Sequence, residues 1–241
     1  MKQAILCTAL FLLVQPLFAD ELWNRAVGQY AANSGWIAGR TDSLSQTFNK
    51  KGVLRSSERR IVRTVQGSGG NETEIVYVEK DGKDITEDER RKSEEERKKR
   101  EEERDGRNSE NDSGDGNSRE PGFPNPFDPD RQDAVVFERT GETVRDGDSL
   151  LIGYRFRVET GERSSYVGTA FLDSNTGVPV EIEATMDPLP RFAEFVRLSV
   201  RFENDGDRWY ATRMELEGAG GWLFVYRRFK SVISFSDYFR S

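Results

Sequence analysis

Three pairs of carboxylates stand close enough in the sequence to suggest acid–base chemistry: Glu181 with Glu183, Glu215 with Glu217, and Asp205 with Asp207. Such a pair works as acid and base only where a cleft drives the two pKa values apart. The first two pairs are spaced i,i+2 in segments that alternate apolar and charged residues, so both members fall on a polar strand face. The third flanks Gly206 in a turn. The spacing favours solvated surface over a catalytic dyad. Histidine is absent from all 241 residues, which removes the commonest general base and the commonest metal ligand together. The single cysteine, Cys7, cannot by itself build an intrachain disulfide, a thiolate zinc site or an iron–sulfur cluster. Gly218-Ala219-Gly220-Gly221 is followed by no helix bearing Lys-Ser/Thr, so it reads as a hairpin turn and not a phosphate cradle. Asp112, Asp115 and Asn117 lack EF-hand spacing and read as linker. Tyr226-Arg227-Arg228-Phe229 mixes basic and aromatic residues as nucleic-acid surfaces do, but 36 basic residues against 43 acidic ones disfavour that partner. Strand alternation explains the tetrad. The expectation is a non-catalytic chain without cofactor, metal or nucleic acid.

The residues that precede all of this have the layout of an export signal. Lys2 supplies a positive start, residues 4–14 are apolar, Gln15-Pro16 breaks the run, and Ala19 offers a small residue for cleavage before Asp20. The run is shorter than the ~20 apolar residues that span a bilayer. The expected product is a periplasmic or secreted protein with no transmembrane span.

Apolar residues make up 35% of the chain and charged residues 33%, so part of it cannot build a core. That part is residues 83–131. Between 83 and 119, 25 of 37 residues are charged, 11 basic and 14 acidic, and Ile85 is the only large apolar side chain. Thr86 and Glu89 are spaced as a capping box. Glu94–Lys98, Glu95–Lys99 and Glu96–Arg100 are i,i+4 pairs in the favourable order. A solvated helix over 87–104 is predicted, followed by an Asn/Ser/Asp/Gly linker and a proline-rich extended piece at 121–129. This charged helical and disordered insertion reads as a tethered spacer, with an envelope protein partner as the alternative use. It separates residues 20–82 from residues 132–241.

The flanking parts read as strands. Leu150, Ile152, Tyr154, Phe156 and Val158 form one apolar stripe; Val178, Val180, Ile182, Ala184 and Met186 a second; Val196, Leu198, Val200 and Phe202 a third; Tyr210, Met214 and Leu216 a fourth. Short turns between them indicate an antiparallel meander. With three strands before the insertion the count reaches about eleven. One amphipathic helix is expected over 21–33, with Leu22, Trp23, Ala26, Val27 and Tyr30 at helical spacing, Asp20 as its cap and Gly35 at its end. Eight C-terminal strands at ~4.8 Å spacing make a sheet ~38 Å wide, and one helix covers ~10 Å of it. Either the sheet closes on a filled interior, or it stays a deep half-barrel whose apolar hollow takes a ligand.

The order of signal peptide, helix, long strands and strand meander resembles the bacterial LolA/LolB-like lipoprotein-sorting superfamily. The stretch Asp81-Gly82-Lys83-Asp84-Ile85-Thr86-Glu87-Asp88-Glu89-Arg90 with its Glu/Lys/Arg run is similar to exported proteins that carry such a domain. The resemblance implies a mainly β (α+β) fold: a large curved antiparallel sheet or unclosed half-barrel with an N-terminal lid helix. It also implies carriage of lipid or lipoprotein acyl chains. Val53-Leu54-Arg55 has no proline after its arginine, so no individual functional residue is carried over. From the stripes themselves, the adaptable apolar candidates for the cavity are Tyr154, Phe156, Ile182, Met186, Leu198 and Tyr210. The lid candidates are Leu22, Trp23, Val27 and Tyr30 on the helix, and Phe192 after Asp187-Pro188-Leu189-Pro190-Arg191, a segment that could serve as a flap. The alternative to a carrier is an interaction module: a closed, dry β-domain that displays the charged helix.

Overall fold

The computed structural model describes residues 20–67, 70–105, 124–161, 164–206, 208–222 and 225–240. The export signal with Cys7, and the linker with Asp112, Asp115 and Asn117, lie outside the described residues. Helix α1 covers Glu21–Asn33, with the Asp20 side chain accepting from the Leu22 amide as expected of a cap. Its C-cap is Ser34, one residue before the expected glycine.

The strands are β1 (Trp36–Ile37), β2 (Arg40–Phe48), β3 (Leu54–Gly67), β4 (Gly70–Lys80), β5 (Lys83–Asp84), β6 (Val135–Asp146), β7 (Ser149–Gly161), β8 (Ser164–Asp173), β9 (Pro179–Asp187), β10 (Ala193–Asp205), β11 (Arg208–Trp222), β12 (Val225–Ser236) and β13 (Phe239–Arg240). Eleven of them form one antiparallel sheet in the order β5-β4-β3-β2-β12-β11-β10-β9-β8-β7-β6, and β1 pairs with β13. The edges β5 and β6 do not pair with each other, so the sheet is an unclosed half-barrel. The meander from β6 to β12 is the one the short turns predict. The charged insertion is the crossing from one edge of the sheet to the other.

The register explains why one helix suffices as a cover. A single inner-face row runs Phe137, Phe156, Gly168, Ala184, Leu198 and Leu216 from β6 to β11, and continues through Ser231, Ser45 and Glu58 on β12, β2 and β3. Along this row the face is apolar from β6 to β11 and polar from β12 to β3, and α1 lies on the apolar half. The core there gathers Trp23, Ala26, Phe127, Ile152, Tyr154, Phe156, Leu172, Ile182, Leu198 and Val200. The outer face carries the charged members of each stripe as cross-strand pairs, such as Arg201–Glu181 and Lys230–Glu215.

Two readings of the insertion need correction. Helix α2 spans Thr86–Asp105 and begins at the sheet edge, not free of it. Thr86 is buried; its hydroxyl accepts from the Val78 amide and donates to Asp84, while Glu89 pairs with Arg60 and Lys92. No capping box forms, because both side chains have tertiary partners. Arg90 donates to the carbonyls of Ile75 and Val76, covering part of the exposed β4 edge. At the other end Pro124, Pro126 and Phe127 are buried. Phe127 packs on Trp23 with ring centroids 4.7 Å apart, so residues 124–127 of the proline-rich piece are core and not spacer. A 3₁₀ turn, Pro129–Ala134, leads from it into β6.

Candidate functional site

Strand register and helix position divide the expected site residues into three groups. Tyr154, Phe156, Ile182 and Leu198 come together on the inner face, wholly or almost wholly buried, directly beneath α1. Trp23 is fully buried among them, stacked on Phe137 at 4.2 Å and 7° and tilted against Tyr154 at 5.6 Å. Its indole N–H donates to Gln132 Oε1 at 3.2 Å. The Tyr154 hydroxyl donates to Asp20 Oδ1 at 2.7 Å, the same oxygen that caps α1. Burial first, and the bond to Asp20 second, push the Tyr154 pKa well above its ordinary value. Leu22, Val27 and Tyr30 pack on the rim of this cluster. Tyr30 meets Trp209 edge-on at 6.0 Å, and Asn33 Oδ1 accepts the buried Trp209 amide at 2.8 Å. The space beneath α1 is therefore filled by the protein's own rings.

Tyr210 belongs elsewhere. The pairing of β10 with β11 skips Thr212: Arg201 faces Arg213, but Phe202 faces Ala211. One extra residue reverses every following side chain. Tyr210 consequently stands with Glu203 on the outer face, stacked on Tyr238 at 4.3 Å, and Trp209 takes its inner place against Phe202.

Met186 and Phe192 mark a different region, at the end of the sheet away from the turns that α1 touches. Met186 pairs with Tyr166, one step beyond the Arg197–Thr185 pair, in the row of Val196, Gly218 and Phe229. Beside that row lies an open hollow of about 690 Å³, bounded by Pro190, Phe192, Phe195, Val196, Ala219 and Phe229, with Arg191 and Arg227 at its margin. Its volume falls within the ~300–1,000 Å³ of small-molecule sites. Its lining is apolar apart from the two guanidiniums.

The glycines that read as a turn are what shape this hollow. They lie inside β11, not between strands. A Cβ on Gly218 would stand 2.6 Å from the Phe229 ring, and one on Gly220 would stand 2.3 Å from the Phe192 carbonyl oxygen. The sequence requires glycine there because another chain segment occupies the side-chain position. The Phe192 carbonyl accepts from the Gly221 amide at 3.0 Å, which ties the β9–β10 turn down to β11. Phe192 itself is held at φ 72°, a left-handed conformation that costs a bulky L-residue ~1–3 kcal/mol. The residue is 46% exposed at the hollow's margin, with the Arg191 guanidinium 4.8 Å from its ring centroid. Strain of this kind concentrates at ligand clamps.

Sequence reasoning reached Phe192 and Phe195 through the two prolines and Val196 through its stripe, but treated only Phe192 as part of the site. Phe229 and the glycines were missed. That Gly218 stands directly opposite Phe229, with Gly220 two residues on, is visible only once β11 and β12 are in register.

The four strand carboxylates sit on the outer face, three of them in ion pairs, while Asp205 pairs with Arg208 in its turn and Asp207 lies outside the described residues. Glu181 binds Arg201, Glu217 binds Arg228, and Glu215 binds Arg213 and Lys230. Hydrogen bonds from Arg213 and Lys230 hold the Glu215 carboxyl below its ordinary range, the reverse of what a general acid needs. Among the described residues no group of three or more His, Cys, Asp or Glu side chains is placed to hold a metal ion, and no helix is long and apolar enough to cross a membrane.

The chain is similar in fold to two solved structures. One is a LolA superfamily protein from Nitrosomonas europaea, with a TM-score of 0.39 and 11% identity over 91% of this chain and 92% of that one. The other is a DUF1329 family protein from Desulfovibrio piger, with a TM-score of 0.39 and 12% identity over the same shares. A weaker likeness, with a TM-score of 0.23 and 11% identity, joins 90% of the chain to 93% of a chain in the MucA/MucB complex of Pseudomonas aeruginosa. No family model and no curated protein sequence matches the chain.

Proposed function

We propose that the protein is an exported, non-catalytic carrier or binding protein of the cell envelope that takes an acyl chain in the hollow beside Phe192. The observation that carries this reading is the hollow itself: about 690 Å³ of apolar space on an unclosed sheet, floored by glycines and rimmed by Arg191 and Arg227. Apolar walls suit a hydrocarbon tail, and two cations at the margin suit an anionic head. The export signal at residues 1–19 would deliver the protein to a compartment where lipids and lipoproteins are the acyl-bearing molecules. The ligand in this reading rests on Phe192, Phe195, Val196 and Phe229, with Met186 one strand away. Tyr154, Phe156, Ile182 and Leu198 keep the wall rigid from behind and α1 is a fixed cover.

The charged helix supports a second contact. Residues 91–99 of α2 are exposed, and they present closely spaced charges of both signs to an envelope protein partner.

The test is thermal unfolding with a C16 fatty acid. A ligand that binds only the folded chain raises Tm by mass action. Val196→Trp should fill the hollow and abolish that rise while the apo protein still unfolds cooperatively. Absence of a fatty-acid shift in the wild type, together with lipid-free purified protein, contradicts acyl binding.

A further inference from the structure

The hairpin tips at the two ends of the half-barrel differ in chemistry. At the hollow end, the register lines up the β2–β3 turn, the facing ends of β11 and β12, and the β9–β10 turn along one rim: Phe48 faces Arg228, Gly220 faces Arg227, and Ala193 faces Gly220. Four exposed large apolar side chains stand on that rim: Val53 (56% exposed), Leu54 (47%), Leu189 (38%) and Phe192 (46%). The outer two tips are four strand spacings apart, ~19 Å. Among them are Lys50, Lys51, Arg55, Arg191 and Arg227, all exposed. None of these five has a carboxylate of the described residues in ion-pair distance. The nearby acids are occupied: Asp187 pairs with Arg157 at 2.6 Å, and Glu194 accepts from Tyr226 at 2.9 Å.

The opposite end carries exposed Asp146 and Asp148 on its β6–β7 turn, while Asp173 there is buried and Asp205 pairs with Arg208. Its two exposed apolar residues, Val144 and Leu150, flank the first two of these. On a protein of net charge −7, five cations without an ion-pair partner among the described residues and four exposed hydrophobic side chains share one rim.

We propose that this rim docks the protein on an anionic membrane surface, with Val53, Leu54, Leu189 and Phe192 entering the interface and the lysines and arginines lying among the headgroups. Buried apolar area and attraction to anionic lipid are the two contributions that hold a peripheral protein on a bilayer. The exposed Asp146 and Asp148 of the β6–β7 turn point away from the surface. Docked this way, the hollow opens toward the membrane. The proposal goes beyond acyl carriage, and its test needs no occupant in the hollow.

The experiment is flotation of the chain from Asp20 onward with vesicles of phosphatidylglycerol and phosphatidylcholine, or of phosphatidylcholine alone. Binding to the anionic vesicles, at least tenfold weaker binding to the neutral ones, and release as ionic strength rises are expected. A basic residue near an anionic surface is worth about fivefold in partition, so Lys50→Ala with Lys51→Ala should lose roughly 25-fold. Val53→Asp with Leu54→Asp should release the protein as well. The opposite-end variant Val144→Asp with Leu150→Asp should bind as the wild type does. All six positions are exposed or flank a turn, and circular dichroism verifies their folding. No binding to anionic vesicles, equal binding to both kinds, or equal loss from the variants of either end overturns the proposal.

Discussion

Trp23→Ala separates a fixed cover from a moving lid. The Trp23 side chain is fully buried, stacked on Phe137 at 4.2 Å and bonded to Gln132 at 3.2 Å. Truncating a buried Trp costs ~3–5 kcal/mol, the upper part applying where the surroundings cannot collapse into the gap. Here the neighbours are Phe127, Phe137 and Tyr154, rings anchored on three separate segments, one of them held by its bond to Asp20. The expected loss is ~4 kcal/mol. For a chain of this size ~1 kcal/mol shifts Tm by ~2–4 °C, so Tm should fall by ~8–16 °C. Urea unfolding followed by far-ultraviolet circular dichroism measures the loss directly. The fatty-acid shift should survive in the variant, because the hollow lies at the other end of the sheet. A loss under ~1 kcal/mol, with the fatty-acid response abolished, would refute the argument and make α1 a lid over bound ligand.

Three further outcomes are expected. Replacing residues 93–119 by a short Gly/Ser linker should leave Tm within a few degrees, since loop length costs only ~0.6 kcal/mol per doubling; a deletion that also takes residues 83–92 should be costlier, because it removes β5, Thr86 and the Arg60–Glu89 pair. Asn33→Ala should cost ~1–3 kcal/mol in urea unfolding by leaving the buried Trp209 amide without its acceptor. Stability should also fall at both pH extremes. The raised pKa of Tyr154 contributes stability that is complete below its unfolded value, ~10, and lost as pH rises beyond it, so Tyr154→Phe should flatten the alkaline limb of a Tm–pH curve. The carboxyls of Asp42, bonded by Arg59, and Glu215, bonded by Arg213 and Lys230, are held low; their contribution is present above ~4 and lost as pH falls through that range.

The strand stripes and the helical spacing of Leu22, Trp23, Ala26, Val27 and Tyr30 were legible because each element buries one face, and a buried face imposes its period on the sequence. Three things were not legible, for identifiable reasons. The flip at Tyr210 comes from a bulge at Thr212, and a bulge leaves the alternation unbroken in composition while reversing its sense. Phe127 and the buried prolines sit beside a highly charged segment, and a window average hides them, though Phe127 finds its partner more than 100 positions away in Trp23. Gly218 and Gly220 have the chemistry of a turn, and only the cross-strand positions of Phe229 and Phe192 show that their role is to leave space. The sequence also suggested an apolar face too wide for one helix. The register eases that difficulty, because Ser231, Ser45 and Glu58 carry the row on as polar residues beyond β11, while the apolar end of the face beside Val196 and Phe229 is the open hollow.

Acyl binding in the hollow is tested most directly by where a bound chain lies. A fatty acid carrying a nitroxide on its tail, added to isotope-labelled protein, broadens the amide resonances near it. Binding in the hollow should broaden the signals of Phe192, Phe195, Val196, Ala219 and Phe229, leave Trp23 and Ala26 sharp, and disappear in Val196→Trp. Broadening centred on Trp23 and Ala26, or none at saturating fatty acid, would contradict it.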